Sequence, residues 1–150
     1  MLTKLMSLIL LMSAQLAMAN SPLFSSIPKE RIRVQITSPL KFDNDGMQYF
    51  AKGQEVTSLG IGQGIPTCLI IPMGLSSIEP GNYEIYKKSG PEISGEDENQ
   101  FIFDVPTPNG KRKMEQVRVM CKSYGQGPCT ELTVEEIETA FGNLKLQIND

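Results

Sequence analysis

Apolar and polar residues alternate along several short stretches of the chain. In residues 31–37, 101–105 and 117–121, every second residue is apolar. This alternation is typical of β-strands that pack one face against a core and turn the other towards solvent. Residues 68–71 (Cys-Leu-Ile-Ile) are instead apolar without interruption, which predicts a central strand buried on both faces.

Residues that favour turns separate these stretches, roughly every 8–15 residues. The strongest hairpin signal is Asn109-Gly110, because this pair fits a two-residue type I′ turn. No helical pattern lies between successive strands, and parallel strands need such crossovers. The pattern therefore predicts a mainly β fold: a small antiparallel β-sandwich or a partly open β-barrel of about seven strands, with one short C-terminal helix.

The predicted helix covers residues 133–141, where apolar residues recur at helical spacing. Thr133 is followed three residues later by Glu136, and this capping box satisfies two free backbone N–H groups at a helix start. Gly142 provides the left-handed residue that ends many helices. Because so short a helix is unstable alone in water, we expect it to pack on the sheet.

The first 19 residues have the three parts of a secretory signal peptide. Lys4 precedes a largely apolar segment at residues 5–16, and residues 17–19 (Ala-Met-Ala) form a small-x-small cleavage site. The apolar segment is short for a membrane span. We therefore interpret residues 1–19 as a cleaved signal peptide, with an uncleaved membrane anchor as the alternative, and we expect no membrane span after cleavage.

Cleavage before Asn20 would leave two regions. Residues 20–30 contain two prolines and three serines, which predict a flexible lead-in. Residues 31–150 predict a single β-rich domain of ordinary size. A protein with this organisation is expected in the periplasm or outside the cell.

The chain has three cysteines, Cys68, Cys121 and Cys129. Because exported proteins enter an oxidising environment, we expect one disulfide bond and one unpaired thiol. Cys121 shares its predicted strand face with Val117 and Val119, and Cys68 opens the most apolar strand. We therefore favour Cys68–Cys121, a bridge that would join two strands across the interior. The alternative is Cys121–Cys129, a local bridge over a glycine-rich turn, which closes more readily but stabilises less.

The composition excludes several kinds of site. The chain has no histidine, so it cannot form a Ser-His-Asp or Cys-His catalytic arrangement, or a zinc site that needs histidine. Its net charge is −3 and no basic stretch dominates, which argues against nucleic acid as a partner. We therefore predict no catalytic residue, no cofactor and no metal ligand.

A hydrolase that uses two carboxyl groups would not need histidine. Four acidic residues lie on predicted strands and could face a groove: Glu55, Glu84, Asp104 and Glu115. Their spacing selects no pair among them. An acid-pair hydrolase is therefore an alternative hypothesis without named catalytic residues.

The order of several features resembles that of small exported bacterial proteins of uncharacterised function. These features are the leader, the Lys-Gly-Gln-Glu turn at residues 52–55, a Cys-Leu strand at Cys68, a Val-x-Val-x-Cys strand ending at Cys121, and Thr-x-x-Glu-Ile at residues 133–137 before Gly142. The resemblance covers roughly residues 31–148. It implies an envelope location and a cysteine pair, and it implies no particular activity.

These observations lead to three functional hypotheses. The first is a non-enzymatic exported β domain that acts as a binding or accessory module in the cell envelope, with a protein or another envelope component as its partner. The second is an acid-pair envelope hydrolase, which requires two carboxyl groups that face each other in a cleft. The third is an inhibitor or protective protein that binds another enzyme through protruding loops such as residues 89–99.

Overall fold

The computed structural model describes residues 21–43, 46–57, 64–89, 99–107, 114–123 and 131–150. The predicted signal peptide (residues 1–19), the Asn109-Gly110 turn and Cys129 lie outside these described residues. The described chain forms two 3-10 turns (Phe24–Ser26 and Lys29–Arg31), one helix α1 (Val134–Phe141) and ten strands: β1 (Ile32–Ile36), β2 (Leu40–Lys41), β3 (Gln48–Ala51), β4 (Gln54–Val56), β5 (Pro66–Ile71), β6 (Ser77–Ile78), β7 (Gly81–Lys88), β8 (Gln100–Pro106), β9 (Met114–Ser123) and β10 (Leu144–Ile148).

Eight of these strands form a single antiparallel sheet in the order β10-β1-β7-β8-β9-β5-β3-β4, which curls into a half-barrel. The strands β2 and β6 pair separately. The predicted antiparallel, mainly β fold with one helix near the C-terminus is confirmed, in the form of a partly open barrel. The described residues contain more strands than predicted, because β2 and β6 have two residues each and are too short to show an alternating pattern.

The hydrophobic core lies on the concave face of the curled sheet. In the strand register Phe103 stands between Ile85 of β7 and Val117 of β9, and all three are buried. Helix α1 packs on the same face, where it contacts β10 at one end of the sheet and β3, β4 and β5 at the other. The rings of Phe141 and Phe50 lie 5.1 Å apart in this contact. The helix therefore joins the two ends of the half-barrel and covers its concave side.

Both ends of α1 have the local structure that their residues favour. Thr133 Oγ1 accepts a hydrogen bond from Glu136 N (3.2 Å), and Glu136 Oε2 accepts one from Thr133 N (2.8 Å). Gly142 has φ +76°, and a Cβ atom there would lie 3.0 Å from Gly53 Cα. Gly53 N also donates to Ala140 O (3.0 Å). The helix therefore ends against the β3–β4 turn, which leaves room only for glycine at position 142.

The lead-in differs from the flexible segment predicted for residues 20–30. Its described part forms 3-10 turns, and Phe24 is fully buried with its ring 5.3 Å from that of Phe101. Val134 N also donates to Pro22 O (3.0 Å), which ties the segment to the start of the helix. A prediction from composition could not foresee this, because a single anchoring ring produces no periodic pattern.

A disulfide bond joins Cys68 and Cys121, the pairing that the sequence favoured. The two cysteines are direct partners in the β5–β9 register, with Cα atoms 4.0 Å apart, and both are buried. The bridge joins neighbouring strands, so the expectation that it would cross the interior is wrong. The physical reason is that the domain has one curled sheet in place of two facing sheets. The alternative Cys121–Cys129 includes a residue outside the described part of the chain. A buried disulfide indicates an oxidising environment, such as exported proteins encounter.

Candidate functional site

The two faces of the curled sheet differ in what covers them. The concave face is filled by the core and by α1. On the convex face of β5, Leu69 and Ile71 remain partly exposed. The prediction that residues 68–71 form a strand buried on both faces is therefore wrong for the convex side, since an apolar run cannot show how many sides are covered. Exposed apolar side chains that lie together are typical of interaction surfaces.

Four partly exposed apolar side chains form a row across β4, β3, β5 and β9. In the strand register Tyr49 pairs with Val56 on one side and with Leu69 on the other, and Leu69 pairs with Met120. Directly paired residues on one face lie about 5 Å apart, so these side chains form one continuous strip. We call this set, Val56, Tyr49, Leu69 and Met120, the apolar row.

A surface cleft of about 160 Å³ opens where β7 ends and β8 begins, beside β9. We call it the cationic cleft, and it is lined by Lys87, Lys88, Ser89, Gln100, Phe101, Ile102 and Arg118. None of these lining residues is acidic, and three of them are cations. Gln100 pairs with Met120 in the strand register, so the cationic cleft adjoins the apolar row.

Lys88 borders the cationic cleft, and an irregularity in β7 turns its side chain to the inner face of the sheet. The register pairs Ile85 with Phe103 but Lys88 with Phe101, so β7 contains one extra residue, a β-bulge. Simple alternation from Ile85 would place Lys87 on the inner side, and the bulge places Lys88 there instead. The sequence does not predict this position of Lys88, because nothing in the sequence of β7 marks the bulge.

The ammonium group of Lys88 lies against the lead-in. Its Nζ donates to Ser25 O (3.2 Å) and to Ser89 O (3.0 Å), and it lies 4.5 Å from the centre of the Phe24 ring. Burial lowers the pKa of Lys88 to about 8. Because that pKa is still above neutral pH, the group remains charged there, and the two carbonyls and the ring face favour its charged form.

Ser89 fixes the backbone at the base of the cationic cleft. Its Oγ donates to Gln100 O (3.0 Å) and accepts from Gln100 N (2.9 Å), and Ser89 N donates to the same carbonyl (2.9 Å). These hydrogen bonds join the end of β7 to the start of β8. The hydroxyl of Ser89 is therefore engaged in the structure of the cleft, and it has no base placed to activate it as a nucleophile within the described residues.

A second groove, of about 460 Å³, lies at the opposite end of β7 and β8. The hydroxyl of Tyr83 donates there to Glu79 O (2.5 Å). Burial, followed by the negative charge of Glu79, raises the pKa of Tyr83, so the phenol is neutral at ordinary pH. The other lining residues are uncharged: Leu75, Ser77, Val105, Pro106 and Thr107. This groove therefore has far less charge to recognise a ligand than the cationic cleft.

The four acids considered for a hydrolase lie on different strands: Glu55 on β4, Glu84 on β7, Asp104 on β8 and Glu115 on β9. The strand register brings Glu84 and Asp104 to neighbouring strands of the convex face. The side chain of Glu84 is 80% exposed and lies 3.5 Å from that of Arg33. Glu84 is therefore open to solvent and paired with a cation. Two carboxyl groups that catalyse hydrolysis lie instead in surroundings that exclude water.

Comparisons with known proteins find no protein family, curated protein or solved structure that matches the chain. Within the described residues, no group of three potential metal-binding side chains is placed to hold an ion. In the same part of the chain, no helix has the length and apolar character needed to cross a membrane. The convex face, with its apolar row and cationic cleft, is therefore the candidate functional site.

Proposed function

We propose that this protein is a non-enzymatic exported β domain that acts as a binding or accessory module in the cell envelope, and that it binds its partner through the convex face of the sheet. The observation that carries the proposal is the contrast between the two faces. The concave face is filled, whereas the convex face combines the apolar row with exposed cations.

The filled concave face supports a surface site. Some eight-stranded barrels, such as lipocalins, hold a small ligand in their interior. Here the rings of Phe103 and Phe141, which are at most 1% exposed, occupy that space together with the other core residues. A ligand in the interior would have to displace the core, so a site on the convex face is the arrangement that leaves the fold intact.

The residue types on the convex face support a macromolecular partner. Tyrosine, methionine and arginine are enriched in protein interfaces. Tyr49 and Met120 belong to the apolar row, and Arg118 lines the cationic cleft beside it. Aromatic and arginine side chains contribute many of the strongest contacts when a partner excludes water from them. We therefore expect a protein or another envelope component to cover these residues.

The leader and the buried Cys68–Cys121 disulfide together support a location in the periplasm or outside the cell. Mass spectrometry of the exported chain is expected to find Asn20 as its first residue. An exported chain that retains residues 1–19 would contradict the cleaved leader.

Photocrosslinking in the intact envelope tests the binding surface. A photoreactive amino acid is placed at Tyr49 or Met120 of the convex face and, as the matched control, at Gln147 of β10, which is exposed at the far end of the sheet. We expect crosslinked adducts from the first two positions and none from the control. Equal adducts from all three positions, or none from any of them, would contradict the proposed surface.

A further inference from the structure

We propose that the cationic cleft binds an oxyanion, either a carboxylate or a phosphate group, between Lys87 and Arg118. This rests on the proposed function and deepens it, because it names the chemical group by which the binding module recognises its partner.

The strand register places two cations on opposite sides of one apolar residue. Lys87 and Arg118 each pair with Ile102. Neighbouring strands lie about 4.8 Å apart, so the Cα atoms of the two cations are separated by about 10 Å. Both side chains are long enough to reach an anion held above Ile102. The planar guanidinium of Arg118 also matches two oxygens of a carboxylate or phosphate group.

No ion pair among the described residues involves the two cations that flank Ile102. The ion pair that the described chain contains is Arg33–Glu84, on other strand positions, whereas Lys87 and Arg118 are exposed without an acidic partner there. Two exposed cations therefore flank one small cleft in a chain whose net charge is −3. Because like charges repel, an anion between them is electrostatically complementary.

Lys88 also borders the cleft, but its ammonium group is engaged elsewhere. Its Nζ donates to Ser25 O and Ser89 O and lies over the ring of Phe24, on the inner side of the sheet. The proposed oxyanion would therefore be held by Lys87 and Arg118 on the convex face.

The size of the cationic cleft suits one anionic group. Its volume of about 160 Å³ equals that of about five water molecules at about 30 Å³ each. This space is sufficient for a carboxylate or phosphate group. Because Gln100 at the edge of the cleft pairs with Met120, the rest of a partner would lie along the apolar row.

The test is a titration of the mature chain with inorganic phosphate and, separately, with acetate, at constant ionic strength set by sodium chloride. Amide NMR shifts of Gln100, Ile102 and Arg118 report binding. Saturable shifts with tighter binding of phosphate assign a phosphate group, and saturable shifts with acetate of equal or greater affinity assign a carboxylate. If neither anion gives saturable shifts at these amides, the inference is wrong.

Substitutions at the surface separate a defined site from a general charge effect. Arg118→Gln and Lys87→Gln should each weaken binding about tenfold or more, because each removes a charge-assisted hydrogen bond. Lys122→Gln is the matched control, since Lys122 is a cation of β9 that does not line the cleft, and it should change the affinity less than about twofold. Equal effects of Arg118→Gln and Lys122→Gln would overturn the site. Unchanged unfolding midpoints verify that the variants fold.

The anion titration and the photocrosslinking experiment fail independently. Crosslinking from the apolar row without saturable anion binding leaves the binding module intact and removes the oxyanion site. Saturable anion binding at the cationic cleft, lost in Arg118→Gln, supports the oxyanion site even if crosslinking detects no partner, and in that case the proposed function is the part that is wrong.

Discussion

Side chains of the concave and convex faces alternate along the same strands. The two faces differ in burial, in charge and in the elements that cover them. On β8, Phe103 points into the core and is fully buried, while its neighbour Ile102 lies on the convex face beside the cationic cleft. The concave face has packed rings, a disulfide and a helix over it. The convex face has partly exposed apolar residues and cations. Stability therefore resides mainly on one face and the proposed binding on the other, so substitutions can separate them.

The largest contrast is expected between two adjacent residues of β8. Phe103→Ala removes a fully buried ring and should lower the free energy of unfolding by about 3–5 kcal/mol. Ile102→Ala, on the convex face, should lower it by less than about 1 kcal/mol. Urea unfolding of both variants measures the difference. Similar losses for the two would show that the convex face is also a core face.

Removal of the disulfide tests the concave face a second time. The double variant Cys68→Ala, Cys121→Ala should lose about 2–4 kcal/mol, chiefly because the unfolded chain regains conformational freedom. Anion binding at the cationic cleft should persist in this variant wherever it remains folded. Cys129→Ala is the control, and its unfolding midpoint should stay close to that of the parent. A larger loss from Cys129→Ala than from the double variant would refute the assigned bridge.

The cap of the helix that covers the concave face has a smaller effect. Thr133→Ala removes the side-chain oxygen that accepts from Glu136 N and should cost about 1 kcal/mol. Thr133→Ser retains a hydroxyl and should keep most of that stability. The measurement is the unfolding midpoint of the two variants. Identical midpoints for alanine and serine would mean that the cap does not stabilise the helix.

The last expected effect depends on pH and concerns the charge that the bulge turns inwards. Burial lowers the pKa of Lys88 to about 8 in the folded protein, from 10.5 for an unburied lysine. Between these two pH values the unfolded chain therefore binds more protons than the folded chain. The free energy of unfolding should therefore rise with pH across this window, and the burial penalty is fully present below it.

The comparison with Lys88→Gln isolates that contribution. The stability difference between the parent and this variant should be constant below pH 8 and should shift in favour of the parent as the pH rises from about 8 to about 10.5. Lys87→Gln, an exposed control on the same strand, should show no such change. A difference that is independent of pH would show that Lys88 is fully solvated.

Local residue chemistry accounts for the features that the sequence predicts correctly. The alternation in β1, β8 and β9 predicts which side chains face the core, because strand periodicity is a property of neighbouring residues. The Thr133–Glu136 cap and the Gly142 end of the helix also follow from short-range hydrogen bonds. The preference for Cys68–Cys121 came from two local apolar patterns, and the register of β5 and β9 explains why these cysteines meet.

The sequence alone thus determined the strand faces, the helix and the favoured cysteine pair, all of which depend on contacts or patterns within a few residues. Only the tertiary structure decided that one sheet curls, that Phe24 anchors the lead-in, and that Leu69 stays partly exposed. The cationic cleft is the clearest case, because Lys87 and Arg118 come from different strands and meet on either side of Ile102 only through the strand register. Strand pairing and register are long-range properties, and periodicity within one segment does not contain them.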